Sequence, residues 1–145
     1  MVSALHGHEQ SLAREYQPIV VNHSQFDRLQ KDIQMCMVTS ADSGEPQCMA
    51  LEGRSGVGKS TLVTHFARKH SRIVTRTETI VPVLYVQTPS PATVKDMATM
   101  MLEALGDPLP TNGTSASLNL RLEKLIKVCR VELVILDDFH HLIDS

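Results

Sequence analysis

The stretch ALEGRSGVGKSTLV, residues Ala50 to Val63, contains Gly53-Arg54-Ser55-Gly56-Val57-Gly58-Lys59-Ser60, which fits the phosphate-loop pattern G-x-x-x-x-G-K-[ST] without a gap. Glycines let a backbone curl around an anion so that successive N–H groups point inward. A helix that starts directly behind such a loop aims its positive end at the same anion. In this pattern Lys59 reaches the β- and γ-phosphates as a point charge, and the Ser60 hydroxyl ligates Mg²⁺. The flanks agree with the motif. Cys48-Met49-Ala50-Leu51 is a short apolar run that predicts a buried strand ahead of the loop. Lys59 to His70 predicts a helix with Leu62, Val63, Phe66 and Ala67 on its inner face. Arg68, Lys69, His70 and Arg72 stand at the negative pole of that helix. A glycine-rich turn that fits by chance is the alternative, and the strand–loop–helix context speaks against it.

Working outward, Phe26, Leu29, Ile33 and Cys36 or Met37 recur at helical spacing. Ser24 can accept a backbone N–H at the helix start, Asp27 suits its first turn, and turn chemistry over residues 40–46 ends it. Ile80 to Gln87 is nearly continuous in apolar residues, which predicts a strand buried on both sides with Pro82 near its start. Ser90-Pro91 predicts the next helix start, Val94, Met97, Met101 and Leu105 carry its face, and Gly106 closes it. A polar loop over residues 108–117 leads to Leu118, Leu122, Leu125, Ile126 and Cys129 on another amphipathic helix. Val131 to Leu136 then predicts a strand running into Asp137-Asp138. Strands alternating with helices predict an α/β fold with a mainly parallel sheet flanked by helices. Ligands bind at the carboxyl ends of such strands, where both the glycine loop and the Asp pair fall.

An apolar strand ending in an acid is the Walker B pattern, in which Asp137 holds Mg²⁺, usually through water. Asp138 is then the candidate to polarise an attacking water, with Lys59 as its catalytic companion at the phosphates; capping a turn is the plainer role for Asp138. Where most such hydrolases carry Glu, Asp is shorter by one methylene, about 1.5 Å. A misplacement near 1 Å costs around a hundredfold in rate, so slow or partner-dependent hydrolysis is expected. His140 has two readings, contact with phosphate or the water-holding acid, and plain packing. His140 with His141, and His6 with His8, form no complete metal-ligand set.

Composition narrows the classes. A 42% hydrophobic content in 145 residues suffices for one domain with a real core, and 21% charged residues argue against wholesale disorder. A net charge of −2 leaves no overall positive field, so any DNA contact must come from a local patch or an assembly. Arg68, Lys69, Arg72 and Arg76 are either such a patch or a solvated helix end. Cys36, Cys48 and Cys129 are scattered, which suits buried thiols in a reducing cytoplasm. The N-terminus lacks a signal-peptide pattern, and no apolar run is long enough to span a membrane.

The segments GRSGVGKST, VPVLYVQTPSPATVKDMATMMLEALGDP and RLEKLIKVCRVELVILDDFHHLID together resemble the TniB/TnsC-like ATPases of transposons, a branch of the AAA+ superfamily of P-loop NTPases. The resemblance covers residues 24–145, preceded by a leader at 1–23 that ends in Ile19-Val20-Val21. It implies that Gly53, Arg54, Ser55, Gly56, Val57, Gly58, Lys59, Ser60 and Thr61 hold ATP, and that Asp137 and Asp138 are the Walker B acids. It further implies a homo-oligomer on target DNA that recruits a transposase. A complete AAA+ module also carries a sensor strand between the phosphate-loop and Walker B strands, an arginine finger and a helical lid. The motifs read here stop short of these, so the chain is expected to hold only the N-terminal part of the module. Two alternatives stand beside this reading: a truncated, non-catalytic nucleotide-binding remnant, and a P-loop kinase, which would need an Arg-rich lid.

Overall fold

The computed structural model describes residues 24–143, so the leader, with its Ile19-Val20-Val21 patch and His6-x-His8, lies outside the described residues. The elements follow in the order α1 (Ser24–Ser43), α2 (Lys59–Lys69), β1 (Ile73–Val74), β2 (Thr79–Ile80), β3 (Val83–Gln87), α3 (Val94–Leu105), α4 (Ser115–Val128), β4 (Leu133–Asp137) and α5 (His140–Ile143). β3 and β4 pair in parallel with Val83 opposite Leu133 and Gln87 opposite Asp137. Because side chains alternate along a strand, this register sorts them into two faces. Val83, Tyr85, Leu133 and Ile135 meet α1 and α2 through Ile33, Met37, Leu62, Val63 and Phe66. Leu84, Val86 and Leu136 meet α3 and α4 through Met97, Leu105 and Cys129. The result is a small parallel sheet with helices on both faces, the arrangement expected of part of a P-loop NTPase.

Local chemistry explains the helix ends. Thr93 caps α3 in a full capping box, its side chain accepting from the Asp96 amide while Asp96 accepts from the Thr93 amide. Gly106 ends α3 at φ 90, a left-handed conformation that glycine adopts freely. The guanidinium of Arg72 donates to the carbonyls of Ala104 and Leu105 at 3.3 and 3.2 Å, so it neutralises the negative end of α3. Arg72 is therefore a helix-capping residue, and Arg68, Lys69 and Arg76 remain exposed without it. Between α1 and α2, the buried Gln30 donates to the Leu62 carbonyl at 2.8 Å.

Five expectations from the sequence need correction. Cys48–Leu51 forms no strand; Cys48, Met49 and Ala50 are exposed, and Leu51 is half-buried against the first core. A strand exists only where a neighbour completes its hydrogen bonds, and among the described residues β4 pairs with β3 alone, leaving no ladder for this segment. Ile80–Gln87 is split at Pro82. Thr79–Ile80 pairs with β1, while the Pro82 carbonyl accepts from Glu132 and Leu133 as β3 begins. Thr93 rather than Ser90 starts α3, because Thr93 and Asp96 exchange bonds that Ser90-Pro91 cannot. Val94 lies at the solvent side, 70% exposed, and the inner face is Met97, Ala98, Leu102 and Leu105. Of the three thiols only Cys129 is buried, with Cys48 left exposed by the unpaired segment around it.

Candidate nucleotide site

The loop in front of α2 has a backbone that its sequence requires. Gly56 and Gly58 sit at φ 80 and 93, where an L side chain is strained, and a Cβ at either would meet nothing within 4 Å. Gly58 caps α2 with no side-chain hydrogen bond, and the first amide to find an intrahelical carbonyl is that of Leu62, at 2.9 Å from the Gly58 oxygen. The opening amides of α2 therefore sit at the positive end of the helix without a capping side chain. Lys59 bends back over the loop and donates from Nζ to the carbonyls of Gly53 and Arg54 at 2.7 and 2.9 Å. An ammonium held on neutral carbonyls gains by trading them for an anion.

The second half of the site comes from the end of β4. Asp138 adopts φ 55, a left-handed conformation tolerated by Asp, and this turns the chain out of the strand. A cleft of about 240 Å³ is lined by Ser55, Gly56, Gly58, Lys59, Ser60, Thr61 and Asp138. Thus Asp138, directly after β4, shares one cleft with the glycine loop and the start of α2, although the two segments are remote in sequence. Asp137 stands one residue back. Its Oδ2 accepts from the Tyr85 hydroxyl at 2.9 Å, and its Oδ1 accepts from the Asp138 amide at 3.0 Å. Gln87 Nε2 donates to Asp138 Oδ2 at 3.2 Å. Burial pushes the Tyr85 phenol up to about 12, aided by its bond to Asp137 and by the charge of both carboxylates. The phenol is therefore a donor throughout the neutral range.

The donor set fits a magnesium-bound polyphosphate. The lining residues carry backbone amides, the Lys59 ammonium, the hydroxyls of Ser55, Ser60 and Thr61, and the Asp138 carboxylate. Mg²⁺ takes one or two carboxylates plus phosphate oxygens and keeps several waters, so it needs no dedicated cage of acids. Among the described residues no group of three His, Cys, Asp or Glu is arranged to hold a metal by itself. Of the residues the sequence singled out, Gly53 and Arg54 lend carbonyls to Lys59, Val57 points to solvent at 63% exposure, and Asp137, bonded to Tyr85, is adjacent to Asp138 but does not itself line the cleft. The rings of His140 and His141 lie with centroids 4.0 Å apart and planes tilted by 43°, and neither residue lines the cleft.

Sequence reasoning missed Tyr85 and Gln87. The only signal was their i, i+2 spacing, which puts both on one face of β3; nothing local shows that the acids arrive beside them.

Compared with known families, residues 12–145 match the family model described as bacterial TniB protein, a match that takes in both walls of the cleft. The search of curated proteins gave no match.

Proposed function

The chain belongs to the bacterial TniB protein family, and from that premise we propose that it is a transposition-associated AAA+ protein that binds ATP with Mg²⁺ in the cleft between the glycine loop and β4. The observation that carries this reading is the approach of Asp138 to Ser55–Thr61 across the cleft. When bound, ATP supplies a phosphoanhydride whose charge the metal offsets. The chain's own part is positional. Loop amides and the start of α2 orient the phosphates, and Lys59 moves from the carbonyls of Gly53 and Arg54 onto them. Ser60 and Asp137 are the residues that would hold the metal, and Asp138 is the one that would polarise a water. In this reading the nucleotide state governs assembly of copies on target DNA and recruitment of a transposase, and the protein works in the cytoplasm.

Lys59→Ala tests it. A hydrogen bond to a charged group is worth about 1.5–3 kcal/mol, so ATP affinity should fall roughly 10- to 150-fold by titration calorimetry. Equal uptake by parent and variant would refute the site. A second reading, a non-catalytic nucleotide-gated module, draws on the Gln87 contact that occupies one oxygen of Asp138. ATP binding that survives Asp138→Ala, together with no phosphate release from the parent, favours this second reading over the first.

A further inference from the structure

The alternation of β3 and the register with β4 put Tyr85 diagonally beside Asp137 on the same face of the sheet. We infer that Tyr85 is a positioning residue for Asp137, fixing its carboxylate so that the site takes nucleotide together with Mg²⁺ rather than nucleotide alone; this rests on the nucleotide reading of the cleft. The two oxygens of Asp137 are held from two directions. Tyr85 takes Oδ2 at 2.9 Å, and the Asp138 amide takes Oδ1 at 3.0 Å. An ionised carboxylate offers about four acceptor positions, so these bonds set the plane of the group and still leave a lone pair on each oxygen. With only the amide bond left, the side chain would swing about its own χ2, a broad two-fold torsion. The phenol is itself anchored, because the Tyr85 ring packs into the core formed by α1, α2 and the sheet. A donor on a half-buried ring packed against the core thus selects one orientation of a flexible acid at the strand tip.

Groups that orient a metal ligand change metal affinity by about 10- to 100-fold when removed. The test is Tyr85→Phe in the full chain, which keeps the ring in the core and removes only the hydroxyl. ATP binding is titrated in EDTA and again across a Mg²⁺ series. The expected result is the parent's affinity in EDTA, with about tenfold more Mg²⁺ needed to reach the tight-binding state. Tyr85→Ala, in comparison, should also lower the urea midpoint by opening the core. A Mg²⁺ curve that overlays the parent's would overturn the assignment. So would an equal loss with and without Mg²⁺, since that marks general damage rather than orientation of Asp137. Lys59→Ala separates the two levels: it fails in EDTA as well, so a Lys59 variant that binds normally sinks the nucleotide reading and this inference with it.

Discussion

Gly58→Ala and Gly44→Ala together isolate what the glycine loop contributes. Both glycines have positive φ, 93 and 70, and a Cβ at either meets nothing within 4 Å. The cost of each substitution is therefore conformational, about 1–2 kcal/mol for an L residue held in the left-handed region. Urea unfolding followed by circular dichroism should show a similar fall in midpoint for both, with an unchanged slope. Their effects on ATP should part. Gly44 follows α1, away from the cleft, whereas Gly58 lines it and opens α2. Strain at Gly58 is relieved by rotating its peptide planes, which turns amides away from the phosphates. Losing one such bond to an anion is worth about 1.5–3 kcal/mol, roughly a 10- to 150-fold weaker Kd. Titration calorimetry of both variants with Mg²⁺ and ATP decides the matter. If Gly58→Ala binds as tightly as Gly44→Ala, the loop amides are not the phosphate cradle.

Two further outcomes concern the scaffold. Leu102 is fully buried between α3 and α4 against Ala98 and Leu118, so Leu102→Ala should cost about 2–5 kcal/mol in urea unfolding, and a smaller loss would mean that the helices close over the gap. Bonds from the Thr93 side chain and then its backbone hold the Asp96 carboxyl below its ordinary 3.8, so its stabilisation is present above that value and is lost as pH falls through the lower folded one. The acid limb of the parent's unfolding midpoint should accordingly be steeper than that of Asp96→Asn; coincident limbs would discount the capping box.

Much of this molecule is written in short runs of residues. Gly53 to Ser60 dictates a loop with positive φ at Gly56 and Gly58 followed by a helix, because the pattern and its consequence lie within one turn of chain. Gly106 announces the end of α3 for the same reason, and the spacing of Leu62, Val63 and Phe66 identifies the inward face of α2. The start of α3 is misread from the sequence: Ser90-Pro91 is a local start signal as good as Thr93-x-x-Asp96, and the structure puts the cap at Thr93.

Tertiary structure decided what depends on partners distant in sequence. The apolar run Cys48–Leu51 has the composition of a strand, yet stays unpaired because no neighbour among the described residues supplies its hydrogen bonds. Pro82 divides a run that hydrophobicity alone reads as continuous, since the segments on its two sides pair with different strands. The meeting of Tyr85 with Asp137, and of Gln87 with Asp138, follows from a register between strands that α3 and α4 separate in the chain. Backbone dihedrals and caps are fixed by neighbours a few bonds away and are legible one residue at a time. Which donor meets which carboxylate is fixed by how two strands align, a choice made only when both faces of the sheet bury their side chains together.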